Sequence, residues 1–185
     1  MSGARWSRED WLRFGEAQLK TGGAAALALD RLCAAAGRTK GSFYHHFAST
    51  DAFLEALVDR WRAWATDRIA EAALSARDPD ASGRTLRKLT SAMDHRLDLA
   101  VREAAAASPA LAAKVSEADT RREDVVASLI AAAYGLDAGR SHAAARIFHA
   151  VHLAGQIRSP EDVAAFAHDP YVLLHRWLER EAAGS

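Results

Sequence analysis

Alanine is the residue that most constrains how this chain can fold. It occupies 44 of the 185 positions, whereas isoleucine occupies 4 and valine 8. Alanine is the best helix former, and β-branched residues carry the usual signal of a strand. No run alternates convincingly between apolar and polar residues, which is the pattern of a half-buried strand. The sequence therefore predicts an all-α fold.

The four prolines are compatible with helices, because none has to lie inside one. Pro109, Pro160 and Pro170 each follow a serine or an aspartate, which is the pattern of an N-cap followed by proline at the first helical position. Pro79 lies in a polar stretch that is typical of a loop. We therefore expect helices to begin at Pro109, at Pro160 and again at Pro170.

Charge and cysteine content exclude several classes of protein. The 24 Lys and Arg balance the 24 Asp and Glu, which excludes a wholly basic nucleic-acid coat protein. A single cysteine, Cys33, excludes a disulfide framework or a thiolate zinc cluster within one chain. No apolar run approaches the ~18 residues that span a bilayer, and the first ten residues carry charges where a signal peptide is apolar. We expect a soluble, cytoplasmic protein with no membrane partner.

The N-terminal quarter has the pattern of a helix-turn-helix. A first helix is predicted from its N-cap, Ser7, to the paired glycines at 22 and 23. A second is predicted over residues 27–36. A short third helix follows, in which Phe43 and Phe47 are four residues apart and can be buried together. A longer helix followed by two short ones that meet near a glycine is a helix-turn-helix arrangement.

Apolar residues at helical spacing continue through the rest of the chain. Ser49 caps a long helix that is predicted to run to near Arg77. Further helices are predicted over 86–101, in a short segment after Pro109, over 125–134 and over 138–156. The chain has no internal repeat that would suggest a solenoid.

The charge is unevenly distributed along the chain. Residues 1–48 contain seven Lys and Arg and four Asp and Glu, which gives +3 and leaves −3 for the remainder. A basic N-terminal lobe is typical of a part that meets phosphates. The short third helix also offers hydrogen-bond donors, and Gly41 permits close approach of backbone to DNA.

The run Lys40-Gly41-Ser42-Phe43-Tyr44-His45-His46-Phe47, preceded by Ala36-Gly37 and followed by Ser49 and Phe53-Leu54, resembles the DNA-binding domain of TetR-type transcriptional regulators. The resemblance implies a three-helix DNA-binding domain over residues 1–50 and a helical domain over 51–185 that binds a small ligand and dimerises. It implies double-stranded DNA with a near-palindromic operator, an unidentified small-molecule effector and a second copy of the chain as partners.

By the same resemblance, Tyr44 and Lys40 contact phosphates, while Thr39, Lys40 and Ser42 face the major groove. Phe43 and Phe47 are core residues that hold the third helix in place. The chain departs from the family pattern at Ala28, where a capping threonine is common, at Thr50, where a lysine is common, and at Arg38, where the turn is usually apolar. The predicted DNA-binding residues are Arg38, Thr39, Lys40, Gly41, Ser42, Tyr44 and His45.

The ligand pocket is predicted to be mostly apolar. Its candidate residues are Trp61, Trp64, Met93, Phe148 and His149. For the two tryptophans, which are three residues apart on the long helix, burial in the core is the stronger alternative. The small residues of 143–155, together with the apolar final helix, suggest a dimer interface of two helices from each subunit.

No catalytic, metal or cofactor site is predicted. His142, His149 and His152 lie on nearby faces of one helix, but no cysteine or carboxylate cluster completes a metal site. Cys33 fits a small buried residue, and no nucleophile elbow is present. The resemblance to TetR-type regulators implies a ligand-responsive repressor, and the alternative is a helical small-molecule-binding protein or enzyme that does not use DNA.

Overall fold

The computed structural model describes residues 5–76 and 78–184, and over these residues the fold is all-α with no strand. The predicted fold class is therefore confirmed. The predicted helix end near Arg77 lies outside the described residues. The ten α-helices of the described part are, in chain order, α1 (Arg8–Gly22), α2 (Leu29–Ala36), α3 (Lys40–Tyr44), α4 (Thr50–Arg62), α5 (Arg68–Leu74), α6 (Pro79–Ser91), α7 (His95–Ala106), α8 (Pro109–Tyr134), α9 (Ala138–Arg158) and α10 (Val163–Ala183).

The chain divides into two compact units. The first unit contains the residues up to Arg62 together with Arg96–Val115, and the second contains Ala63–His95 together with the residues from Ser116 onward. The first unit thus includes α1–α4 and most of α7. The boundary predicted after residue 50, between a DNA-binding and a ligand-binding domain, stays a prediction.

Helix α1 begins at a complete capping box. The Ser7 hydroxyl accepts a hydrogen bond from the Asp10 backbone N–H at 3.1 Å, and the Ser7 backbone N–H donates to the Asp10 carboxylate at 2.9 Å. These two bonds satisfy backbone donors that the first turn of a helix otherwise leaves unpaired. The Ser7 backbone and side-chain hydrogen bonds lower the pKa of Asp10 to about 2.

Aromatic rings form the core of the first unit. Trp11, Phe43 and Phe53 are at most 1% exposed. The centroid of the Phe43 ring lies 5.4 Å from that of Trp11 and 5.3 Å from those of both Phe47 and Phe53. Such ring pairs stabilise beyond the area they bury. Phe43 and Phe47 are therefore buried together, as their spacing predicts.

A glycine sets how closely α1 and α4 approach. A Cβ atom at Gly15 would lie 2.5 Å from Cζ of Phe53, well inside van der Waals contact. The helices cross at this point because residue 15 has no side chain.

The second unit has a core made largely of alanine. One buried cluster contains Ala127, Ala144 and Ala145 with Ile130, Leu136 and Leu178, and another contains Ala70, Ala73 and Val125. Gly155 brings α9 close to the start of α10, since a Cβ there would lie 2.9 Å from Cγ1 of Val163.

Several predicted helix boundaries are wrong in the C-terminal half. Pro160 lies in a turn, and Pro170 lies inside α10, whose N-cap is Asp162. Proline removes one helical donor, but α10 buries Ala167 and Leu178 on either side of it, and this packing keeps the helix continuous. The two helices predicted after Pro109 are one helix, α8, because no glycine or proline interrupts residues 110–134.

Two further breaks lack a sequence signal. The helix predicted over 86–101 is divided into α6 and α7 near residue 93. The long helix from Ser49 is interrupted by a π-helical segment, Ala63–Asp67, before α5 continues it. Within the described residues, no helix has the length and apolar character needed to cross a bilayer.

Candidate functional site

One side of helix α3 is buried in the first unit, and the other side is exposed to solvent. Phe43 is fully buried, whereas Lys40, Gly41, Tyr44 and His45 are exposed and Ser42 is half-buried. The Thr39 hydroxyl caps the helix by accepting from the Ser42 backbone N–H at 3.2 Å. The structure thus brings the predicted DNA-binding residues together on one accessible end of the first unit.

Lys40 forms an ion pair that the sequence analysis missed. Its Nζ lies 2.5 Å from Oδ1 of Asp30, at the start of α2. Hydrogen bonding to Asp30 raises the pKa of Lys40 above its usual range, so the ammonium group stays charged at neutral pH. Asp30 and Lys40 are ten residues apart and each begins a helix, so no spacing rule within one helix reveals the pair.

The segment before α1 contacts the end of α3. Arg5 Nη2 lies 3.1 Å from Nε2 of His45, and Nε2 of His46 lies 2.8 Å from the Trp6 carbonyl oxygen. The Arg38 guanidinium lies over the Trp6 ring, 5.2 Å from its centroid. The side chains of Arg38 and His45 are therefore oriented by residues 5 and 6, which sequence reasoning did not connect with the third helix.

The departure from the family pattern at Ala28 has a visible structural consequence. Ala28 is the N-cap of α2 and makes no side-chain capping bond. At α4, the Ser49 hydroxyl accepts from the Ala52 backbone N–H at 3.0 Å. Of these two helix N-termini, only that of α4 has a side-chain oxygen that accepts a hydrogen bond from a backbone N–H of the first turn.

Trp61 belongs to the lining of neither of the two cavities described below. It is buried in the first unit, and its indole N–H donates to Oδ1 of Asp98 at 2.8 Å. Arg102 donates to the other oxygen of Asp98 at 2.9 Å. A buried carboxylate held by two donors is a structural feature, so the position of Trp61 agrees with the core alternative.

Trp64 also lies outside the cavities. It is 54% exposed, and the Arg68 guanidinium lies 4.0 Å from the ring centroid.

The second unit contains a cavity of about 330 Å³, which we call the apolar cavity. Met93, Phe148 and His149, three of the five predicted ligand-binding residues, belong to its lining. Its apolar surface comes mainly from α5, α6 and α8 and includes Ile69, Leu86, Val125, Val126, Leu129 and Ile130. Cavities of this size and character accept small molecules.

A second cavity of about 430 Å³, which we call the adjoining cavity, shares part of that lining. The residues common to both are Arg87, Thr90, His152, Tyr171 and His175. Tyr171 donates to the Phe148 carbonyl oxygen at 3.3 Å, and burial raises its pKa to about 12. Burial and the charge of Arg87 lower the pKa of His175.

The three histidines of α9 do not converge. His142 lies 3.2 Å from Asp124, His149 lies 3.0 Å from Glu123, and His152 lies 3.2 Å from the Gln156 amide nitrogen. The Ala138 carbonyl, and then Asp124, raise the pKa of His142. Among the residues that the structure describes, no group of three or more His, Cys, Asp or Glu is arranged to hold a metal ion.

Residues 12–57 match the family model described as bacterial regulatory proteins, tetR family. The matched segment covers most of α1, all of α2 and α3 and the first part of α4, which are the elements that form the aromatic core around Phe43. No curated protein matches the chain. The chain therefore contains, over residues 12–57, the DNA-binding domain of TetR-type bacterial regulatory proteins.

Proposed function

We propose that the protein is a repressor that leaves its operator when a small molecule binds in the apolar cavity. The observation that carries the proposal is the π-helical segment Ala63–Asp67. It directly follows α4, the last helix matched in part by the family model, and two of its residues, Ala65 and Thr66, line the apolar cavity. A π-helical turn is an irregularity that is often found at functional sites.

The π-helical segment is held by a side chain from α8. Arg122 donates to the Thr66 hydroxyl at 2.9 Å and to the Ala65 carbonyl oxygen at 3.3 Å. A ligand that favours a different arrangement of this segment would bias the backbone that leads from α4. Because a ligand shifts an equilibrium only by its differential affinity, we propose two states that differ at this segment.

DNA contact is proposed for the exposed end of α3. In this proposal Lys40 and Tyr44 contact phosphates, and Thr39, Lys40 and Ser42 face the base edges of the major groove. Arg38, two residues before α3, has its guanidinium over the Trp6 ring. The ion pair with Asp30 would be exchanged for a phosphate on binding.

A homodimer is proposed through α9 and α10. Ile147 and Ile157 on α9 and Leu173 and Trp177 on α10 are 38–70% exposed. Leu173 and Trp177 are four residues apart and lie on one face of α10, whereas Ile147 and Ile157, ten residues apart, point about 80° away from each other around α9. Exposed apolar faces of this kind mark interaction surfaces, and a two-fold pair of α3 helices fits a near-palindromic operator.

The proposal is tested by selecting duplexes from random DNA with the full chain, then adding candidate ligands to the complex. We expect saturable binding to a near-palindromic site and release of DNA by ligands that bind the second unit. If the protein selects a DNA site but no cavity ligand releases it from that site, the ligand response of the proposal is refuted. No saturable DNA binding at low salt would favour a helical carrier or enzyme instead.

A further inference from the structure

The charges around the two cavities are distributed asymmetrically. The apolar cavity is lined by Asp80 and by three arginines, of which Arg122 is already paired with Asp119 at 3.7 Å. The adjoining cavity is lined by one arginine, Arg87, and four histidines, and no acidic side chain belongs to its lining in the described part of the chain. The adjoining cavity is therefore suited to an anion.

Arg87 lies where the two cavities meet. It belongs to both linings, and among the described residues its guanidinium has no ion-pair or hydrogen-bond partner. Its Nη1 lies 3.5 Å from the position that a Cβ would take at Gly83, one turn earlier on α6. A guanidinium offers a planar fork of donors that matches a carboxylate.

The field of Arg87 acts most clearly at His175. The positive charge of Arg87 lowers the pKa of His175 more than the negative charge of Glu179 raises it. At Tyr134, the charges of Glu179 and Asp80 raise the pKa more than the charge of Arg87 lowers it. Of these charges, that of Arg87 therefore acts most strongly on His175, which lines both cavities. At the adjoining cavity, the Asp169 carboxylate is bonded to His168, one of the lining histidines, at 2.9 Å.

A hydrogen-bonded pair of neutral polar groups, Tyr134 of the apolar cavity and His175 of both cavities, also presents a donor. Tyr134 and Nδ1 of His175 are 2.8 Å apart. Whichever of them donates, the pair keeps one further N–H or O–H to offer a ligand.

We infer that the ligand of this site is an amphipathic anion, with an apolar body in the apolar cavity and a carboxylate beside Arg87 in the adjoining cavity. The inference rests on the proposed function in one respect, since it names the class of molecule that would act as effector. A carboxylic acid is ionised at neutral pH. Its two oxygens accept from Arg87 and from the donors of the Tyr134–His175 pair, and the aliphatic or aromatic body displaces water from Leu86, Val125 and Leu129.

The test uses two matched series of probes and the full-length chain. Octanoate, octanol and octylammonium share a straight-chain body, and 2-naphthoate, 2-naphthol and 2-naphthylmethylammonium share an aromatic one. Binding is measured by isothermal titration calorimetry at pH 7. In at least one series we expect the carboxylate to bind about ten-fold more tightly than the alcohol and the ammonium to bind most weakly; the series that shows this identifies the body.

Two substitutions on α6 distinguish a specific contact with Arg87 from a general effect of positive charge. Arg87→Gln is expected to bring the carboxylate within about two-fold of the alcohol without weakening the alcohol. Lys88→Gln removes the same charge one residue away, at an exposed position outside both linings, and is expected to keep the preference. Circular dichroism checks that both variants are folded.

Three results would overturn the inference: equal binding of acid and alcohol, tighter binding of the ammonium, or no binding by any of the six probes. A preference that survives Arg87→Gln would also overturn it, because the anion would then sit elsewhere. The same probes are added to the DNA complex. Carboxylate-selective binding without any effect on DNA would leave this inference standing and refute the ligand response of the proposed function.

Discussion

The two compact units are built from the same kind of helix but fill their interiors differently. In the first unit, the rings of Trp11, Phe43 and Phe53 contact one another and are at most 1% exposed. In the second, alanines provide much of the buried core, and Phe148 and Tyr171 border cavities. Interlocked rings give a rigid platform. Small side chains leave space, and this space is where a ligand can bind.

Replacement of Phe43 is expected to have the largest effect. Phe43→Ala removes a fully buried ring that contacts Trp11, Phe47 and Phe53, so we expect the free energy of unfolding to fall by about 3–5 kcal/mol. Urea denaturation followed by circular dichroism measures it. Tyr44→Ala, on the next residue and 49% exposed, is the control and should cost less than about 1 kcal/mol. Similar losses from both variants would contradict a core centred on Phe43.

Substitution of Trp61 separates the core role from ligand binding. In Trp61→Phe the Asp98 carboxylate loses the indole donor, so we expect a loss of about 1–3 kcal/mol of stability. Binding of any ligand to the second unit should be unchanged. A large loss of ligand affinity with unchanged stability would restore Trp61 as a pocket residue.

A series of Gly→Ala substitutions compares how well the two units accommodate an added methyl group. Gly15→Ala places a methyl group 2.5 Å from the Phe53 ring, and we expect it to destabilise by about 1–3 kcal/mol because the aromatic cluster cannot move aside. At Gly155 the closest atom, 2.9 Å away, is a valine methyl, so the gain in helix propensity should offset most of the cost. Gly83→Ala, which meets only an ordinary contact at 3.5 Å, should stabilise by about 0.5–1 kcal/mol. If Gly155→Ala proves worse than Gly15→Ala, the second unit is not the more adaptable one.

The ion pair between Lys40 and Asp30 has a moderate expected effect on DNA affinity. Asp30→Asn frees Lys40 and removes a negative charge near the proposed phosphate contacts, so binding should tighten about two- to five-fold at low salt. In a Lys40→Met background the same change should have a smaller effect, which a double-mutant cycle measures. Equal effects in both backgrounds would show that the ion pair is not exchanged for a phosphate.

Asp10 is expected to contribute the smallest effect. Since the pKa of its carboxyl is lowered from 3.8 to about 2 by Ser7, its contribution to stability is present above pH 4 and is lost as the pH falls toward 2. Asp10→Asn should therefore flatten the loss of stability only in that window. NMR titration of the Asp10 carboxyl checks the pKa directly, and a value near 4 would contradict the capping box.

The fold class and the helix-turn-helix could be predicted because their signals are local. Alanine content, the Ser7 cap and the four-residue spacing of Phe43 and Phe47 each involve residues that are close in sequence, although Phe47 lies beyond the end of α3 at Tyr44. The break near residue 93 and the continuation of α10 through Pro170 could not be predicted, since they depend on packing between helices. The same holds for the site: the residues of α3 lie in one short run, whereas the Lys40–Asp30 pair and the shared lining around Arg87 join residues that are distant in sequence.

The most direct test of the account is the salt dependence of DNA binding for the unmodified protein and for the variant Tyr44→Phe with Lys40→Ala. Binding to a selected duplex is measured by fluorescence anisotropy over a range of salt concentrations. If α3 contacts phosphates through these two residues, the variant binds more weakly and the slope of log K against log salt falls by about one to two. Unchanged slope and affinity would contradict the assignment of α3 as the surface that meets DNA.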